Sequence, residues 1–211
     1  MRYCAMVAVG ILASALYLSA QKPNAPLPGI APRATPADYQ NHVQLGKYTF
    51  AAEFTGHSVS LPDVTLNNED YVMVEAAVFG PPDSKITLTA SDFSLRVNGK
   101  KPATAAPYGL VVGNLKNPEL EPTSAEQKSK TSVGTGGGQG DSSPPPPYRV
   151  PDALKHEYSQ RLQKVSLPEG DRTPPQAGLL YFQYHGRADK IRSLELIYAG
   201  PAGKFTLPIQ P

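Results

Sequence analysis

The run Tyr71-Val72-Met73-Val74-Glu75-Ala76-Ala77-Val78-Phe79 constrains the fold more than any other stretch. Its even positions, Val72, Val74, Ala76 and Val78, are all apolar, and Glu75 falls among the odd ones. A period of two with branched side chains is the pattern of a strand that turns one face to a core. Gly80-Pro81-Pro82-Asp83 follows it with turn chemistry. The alternation returns in Ile86, Leu88 and Ala90, then in Phe93, Leu95 and Val97 against Asp92, Ser94 and Arg96. The two segments are expected to be successive strands of one antiparallel sheet.

Other segments extend this pattern. Tyr48, Phe50, Ala52 and Phe54 alternate with Thr49, Ala51, Glu53 and Thr55, which gives a half-buried strand, whereas Ser58 to Leu66 is broken by Pro62 and reads as a loop with a short edge segment. Asn98-Gly99 marks a tight turn, and Tyr108 to Val112 reads as a short strand. Leu179, Leu180, Tyr181 and Phe182 are apolar in succession, so Gly178 to Tyr184 fits a strand buried on both faces. Leu194, Leu196 and Tyr198, the turn Gly200-Pro201-Ala202-Gly203, and Phe205, Leu207 and Ile209 make a C-terminal hairpin. A helix is expected over 151–165, with Leu154, Tyr158, Leu162 and Val165 along one face and Pro168-Glu169-Gly170 beyond its end. About seven strands without βαβ alternation imply an all-β fold, an antiparallel β-sandwich with one helix in a long inserted connection.

The sandwich domain is expected over 42–211. Residues 1–20, with Arg2, an apolar run from Ala5 to Leu18, and Ser19-Ala20, read as a secretory signal peptide; left uncleaved, the run would be a marginal membrane anchor. Residues 21–41 carry five prolines and read as an extended, solvated tether. Residues 114–148 combine polar, glycine and proline tracts and are expected to be a disordered insertion, because so little apolar surface cannot offset ordering entropy. Cys4 lies in the signal, so the mature chain has neither a disulfide nor a thiol nucleophile, and its fold rests on core burial.

The order of Tyr71-Val72-Met73-Val74-Glu75-Ala76-Ala77-Val78, Asp92-Phe93-Ser94-Leu95 and Gly178-Leu179-Leu180-Tyr181-Phe182 resembles bacterial secreted or envelope-anchored telokin-like, immunoglobulin-like domains of unknown function. The resemblance spans Tyr48 to Ile209 without the insertion. Where the family's first strand usually ends in asparagine, this chain has Phe79-Gly80-Pro81. The resemblance implies an immunoglobulin-like fold and an extracytoplasmic setting and transfers no catalytic residue.

Chemistry-bearing motifs are sparse. The glycine run from Gly134 to Gly140 has neither a leading strand nor a following Gly-Lys-Ser/Thr and reads as a linker; Pro145-Pro146-Pro147-Tyr148 reads as a stiff spacer. His42, His57, His156 and His185 stand at no metal-ligand spacing, there is no Gly-X-Ser-X-Gly, and Asp63, Glu69 and Asp70 read as solvated loop charges. A formal charge of +2 gives no basic field for nucleic acid or anionic lipid. Neither a cofactor nor a catalytic or metal site is expected. The function these features favour is a secreted or periplasmic, non-enzymatic module that binds another envelope or extracellular protein, with the stripe Leu154, Tyr158, Leu162 and Val165 as a possible partner-facing surface. A carrier of a small ligand or metal ion in a loop-end pocket is the second reading, and a weak hydrolase the third.

Overall fold

The computed structural model describes residues 29–61, 64–113 and 152–211. The expected signal peptide, the first part of the tether and the 114–148 insertion lie outside the described residues. Among those described, the chain is mostly β, with strands β1 Asn41–Leu45, β2 Tyr48–Gly56, β3 Ser58–Leu61, β4 Val64–Asn67, β5 Tyr71–Phe79, β6 Ile86–Leu88, β7 Phe93–Val97, β8 Ala103–Ala106, β9 Gly170–Arg172, β10 Gln176–Gln183, β11 Leu194–Gly200 and β12 Gly203–Ile209. Two helices, α1 Tyr108–Val112 and α2 Asp152–Val165, complete it.

Eight strands form one antiparallel sheet in the order β1-β2-β5-β10-β8-β7-β11-β12. The sheet curls until its two edges meet in a nearly barrel-like form: Asn41 Nδ2 donates to the Pro208 carbonyl at 2.9 Å, and Leu45 packs beside Gly203. Pro208 has no N–H to offer β1, consistent with its place on an edge strand. Within the curl, Val72, Val74, Ala76 and Val78 meet Phe93, Leu95, Leu196 and Tyr198 in the main core. Phe50 of β2 reaches across to Tyr198 of β11, ring centroids 4.8 Å apart. β8 is the seam of the sheet, since Ala103 and Thr104 pair with β7 while Ala105 and Ala106 pair with β10.

Several expectations change in the folded chain. β5 is buried on both faces, because Tyr71 and Met73 lie under a helical layer and Ala77 under the N-terminal segment. Two-sided burial of β10 is as expected. β5 and β7 share the sheet, but β10 and β8 stand between them, and β6 leaves it to pair with β9. Ser58 to Asn67 is a two-stranded hairpin of β3 and β4. Tyr108 to Val112 is a helical turn and not a strand: an apolar run of five has no period to separate the two, and Val111 and Val112 bury themselves against the helical layer after Pro107.

The second half of the expected tether docks on the sheet at a few points, while Ala31, Ala34, Thr35, Ala37, Asp38 and Gln40 stay exposed. Ile30 pairs with Ala177, the Gly29 N–H donates to the Lys164 carbonyl at 2.6 Å, and Tyr39 is buried beside Ala51, Ala77 and Phe79. Arg33 holds this strap down, 2.6 Å from Glu53 and 3.5 Å from Glu75 and stacked over the Tyr39 ring. Glu53 and Glu75 are direct cross-strand neighbours whose like charges repel, and the guanidinium between them offsets that repulsion. Proline content marked the segment as extended; what docks it is this one ion cluster and two aromatic or branched side chains.

Candidate ligand-binding site

Helix α2 follows from its side-chain spacing. Tyr158, Leu162 and Val165 lie on one face, while Glu157 and Arg161 form an exposed ion pair one turn apart at 2.6 Å. That apolar face packs on the chain's own sheet: Tyr158 is buried and Leu162 wholly so, against Met73, Leu179 and Tyr181, with Val165 at the margin. The Leu154 side chain lies outside the described residues. The stripe therefore does not face a partner through Tyr158 or Leu162, because the outer face of β5 and β10 is itself apolar and takes the helix first.

The helix exit lies directly on β10. The Leu167 N–H donates to the Leu179 carbonyl at 3.0 Å, and a Cβ on Gly178 would run into the Leu167 backbone, so only glycine allows this approach. Ser166 Oγ donates to the Leu162 carbonyl at 2.6 Å and stands 3.2 Å from the Tyr181 hydroxyl. Burial pushes the Tyr181 phenol well above its usual range, so it stays a neutral hydroxyl.

Between this helix end, the start of α1 and the β8–β10 seam lies a cavity of about 450 Å³. Its wall is largely apolar, with Ala90, Ala106, Pro107, Leu167, Leu179 and Tyr181. Arg172 and Glu169 supply charge at its edge. The register of the small ribbon explains why a guanidinium is there. Asp171 opposes Thr87 and bonds its hydroxyl outside at 2.6 Å, whereas Arg172 opposes the buried Ile86 and so shares the inward side. Arg172 Nε is buried and has no hydrogen-bond partner, and Arg172 joins no salt bridge among the described residues. A buried donor left without an acceptor costs about 1–3 kcal/mol.

Nearby carboxylates do not answer it. Glu169 Oε1 accepts the Ala90 N–H at 2.9 Å, and its charge adds to burial in raising the Asp92 carboxyl above its ordinary value. The cavity wall thus carries one carboxylate, Glu169, and one guanidinium, Arg172, that do not pair with each other.

The histidines stand apart from this site. His42 is exposed, His156 bonds Gln160 at 3.0 Å, and His185 Nδ1 lies 3.0 Å from Asp70. His57 is enclosed by the carbonyls of Asn68, Tyr71 and Gly186 at 2.9, 2.8 and 3.0 Å and ties three segments together. Among the described residues no group of three His, Cys, Asp or Glu could hold a metal ion, and no helix is long and apolar enough to cross a membrane. Sequence reasoning missed Arg172, Glu169 and Tyr181 as members of a site. Gly170-Asp171-Arg172 carries no periodicity, and only its pairing with Ile86-Thr87-Leu88 shows which side Arg172 takes.

Comparison with family models, with curated proteins and with solved structures gives no match for this chain.

Proposed function

We propose that this protein is a secreted or periplasmic, non-enzymatic binding module whose occupant is a small organic molecule seated in the cavity between α2, α1 and the β8–β10 seam. The observation that carries the reading is the unpartnered Arg172 at the edge of an apolar cavity of about 450 Å³, a size that suits small-molecule sites. The burial of Tyr158 and Leu162 removes the best candidate surface for an envelope or extracellular protein partner and moves the small-ligand reading ahead of it. Export rests on the N-terminal Arg2, apolar run and Ser19-Ala20, and on the cysteine-free mature chain. The finer fold reading belongs with it: β1-β2-β5-β10 and β7-β11-β12 act as the two layers of an immunoglobulin-like sandwich of the telokin-like type, seamed by β8.

The test is a ligand-observed NMR screen of small organic molecules against the parent chain and against Ala106→Phe, which fills the cavity. Binders of the parent that are lost in A106F, with the variant's circular dichroism unchanged, are the expected result. Binders indifferent to A106F would place the site elsewhere. An empty screen, together with cross-linking of the protein to an envelope component, would return the protein-partner reading to first place.

A further inference from the structure

We infer that the cavity selects a small carboxylate with an apolar tail, its head group held at Arg172 and its tail laid along Ala106, Leu179 and Tyr181. This rests on the reading of the cavity as a binding site and adds the chemical class of its occupant.

Three features select that class. Register puts Arg172 on the inward side of the β6–β9 ribbon, and Arg172 lines the cavity. Its Nε lacks an acceptor within the chain, and a guanidinium is the side chain whose planar donor fork fits a carboxylate. Apart from Glu169 the rest of the wall carries no charged side chain: Tyr181 is a neutral phenol already beside Ser166 and Leu162, and the other lining residues are apolar or neutral. An ammonium head is disfavoured at Arg172, and the Glu169 carboxylate, which could attract one, is exposed and engaged with the Ala90 N–H. A dianion such as a phosphate monoester would meet the Glu169 carboxylate with twice the charge. A single negative charge on an apolar body is what remains.

The probes are octanoate, octan-1-ol and octylamine, which share one tail and differ in head group. Binding is measured by titration calorimetry on the full chain and located by the NMR signals of labelled tyrosine at Tyr108 and Tyr181, both at the cavity wall. Octanoate is expected to bind at least about 10-fold more tightly than the other two, as one charge-assisted contact implies. Arg172→Met should erase that preference while the protein stays folded, and Arg172→Lys, which keeps the charge, should restore much of it. If octanol matches octanoate, or the preference survives in R172M, the carboxylate inference is overturned while the cavity remains a binding site. If none of the three moves the tyrosine signals, the inference and the binding reading beneath it both fall.

Discussion

Two arginines on this molecule meet opposite fates. Arg33, on the N-terminal strap, lies between the carboxylates of Glu53 and Glu75, donates to the Asp38 carbonyl at 2.6 Å and stacks on Tyr39. The hydrogen bond to Glu53 and, less strongly, the Glu75 charge raise its already high pKa against the opposing effect of burial. Arg172 lines the cavity together with Glu169, yet forms no ion pair among the described residues, and its Nε is buried without an acceptor. One guanidinium completes a set of charges; the other leaves a set open. Folding alone has no use for the second arrangement, since replacing an unanswered buried donor by an apolar group is neutral or stabilising. On the proposed reading, a ligand supplies the missing acceptor.

That contrast can be broken in three places. The largest effect is expected from Leu162→Ala, which loosens the layer beside the cavity: the side chain is wholly buried against Tyr181 and Leu179, and its loss should cost about 2–5 kcal/mol in urea unfolding. Octanoate selectivity should decline with it, because Leu162 backs the wall that carries Ser166 and Tyr181. Arg33→Met comes next. It leaves Glu53 and Glu75 facing each other across the ladder and frees the strap, and since the Arg33 side chain is 34% exposed, solvent screening limits the cost to about 1–2 kcal/mol. Salt should narrow the gap between R33M and the parent. Arg172→Met, by contrast, should leave unfolding free energy unchanged or raise it by up to about 1 kcal/mol, because a desolvated donor is removed and nothing bonded to it is lost. A large destabilisation by R172M would make the two arginines alike and remove the ground for a ligand.

The two sites differed as much in how far the sequence could be read. Val72, Val74, Phe93, Leu95, Leu196 and Tyr198 announced themselves by alternation, because a strand's two faces are written into every second residue, and all of them line the core. Tyr158 and Leu162 were legible as an apolar helical stripe, but whether a stripe meets its own sheet or a partner depends on what the sheet's outer face presents. Met73, Leu179 and Tyr181 decide that, and they sit at odd positions of strands whose even positions also face a core. Arg33 and the strap were hidden because a proline-rich segment docks through a few contacts with residues 42 positions away, as Arg33 does with Glu75. Arg172 was hidden for a third reason: β9 is three residues long, too short to show a period, and its inward side is set by pairing with β6 across 84 positions of chain, as the Thr87 to Asp171 bond records. Local pattern travels well in a sequence, whereas chemistry assembled from short, distant segments does not.

The smallest expected effect tests the carboxylate half of the comparison. At the strap, Glu53 and Glu75 share a cation; Asp92 and Glu169 share none among the described residues, and burial first, then the Glu169 charge, raises the Asp92 carboxyl above its ordinary 3.8. An acid whose pKa is higher folded than unfolded binds more protons in the folded state across the interval between the two values. Stability contributed by neutral Asp92 is therefore fully present below the unfolded value and is lost as pH rises through the folded one. Asp92→Asn removes that dependence, so the variant should be slightly more stable than the parent at neutral pH, with the gap closing as pH falls towards 3.8 in urea melts taken across the range. A gap that is constant with pH would mean that Asp92 feels neither its burial nor the Glu169 charge, and the likeness between the two carboxylate pairs would end there.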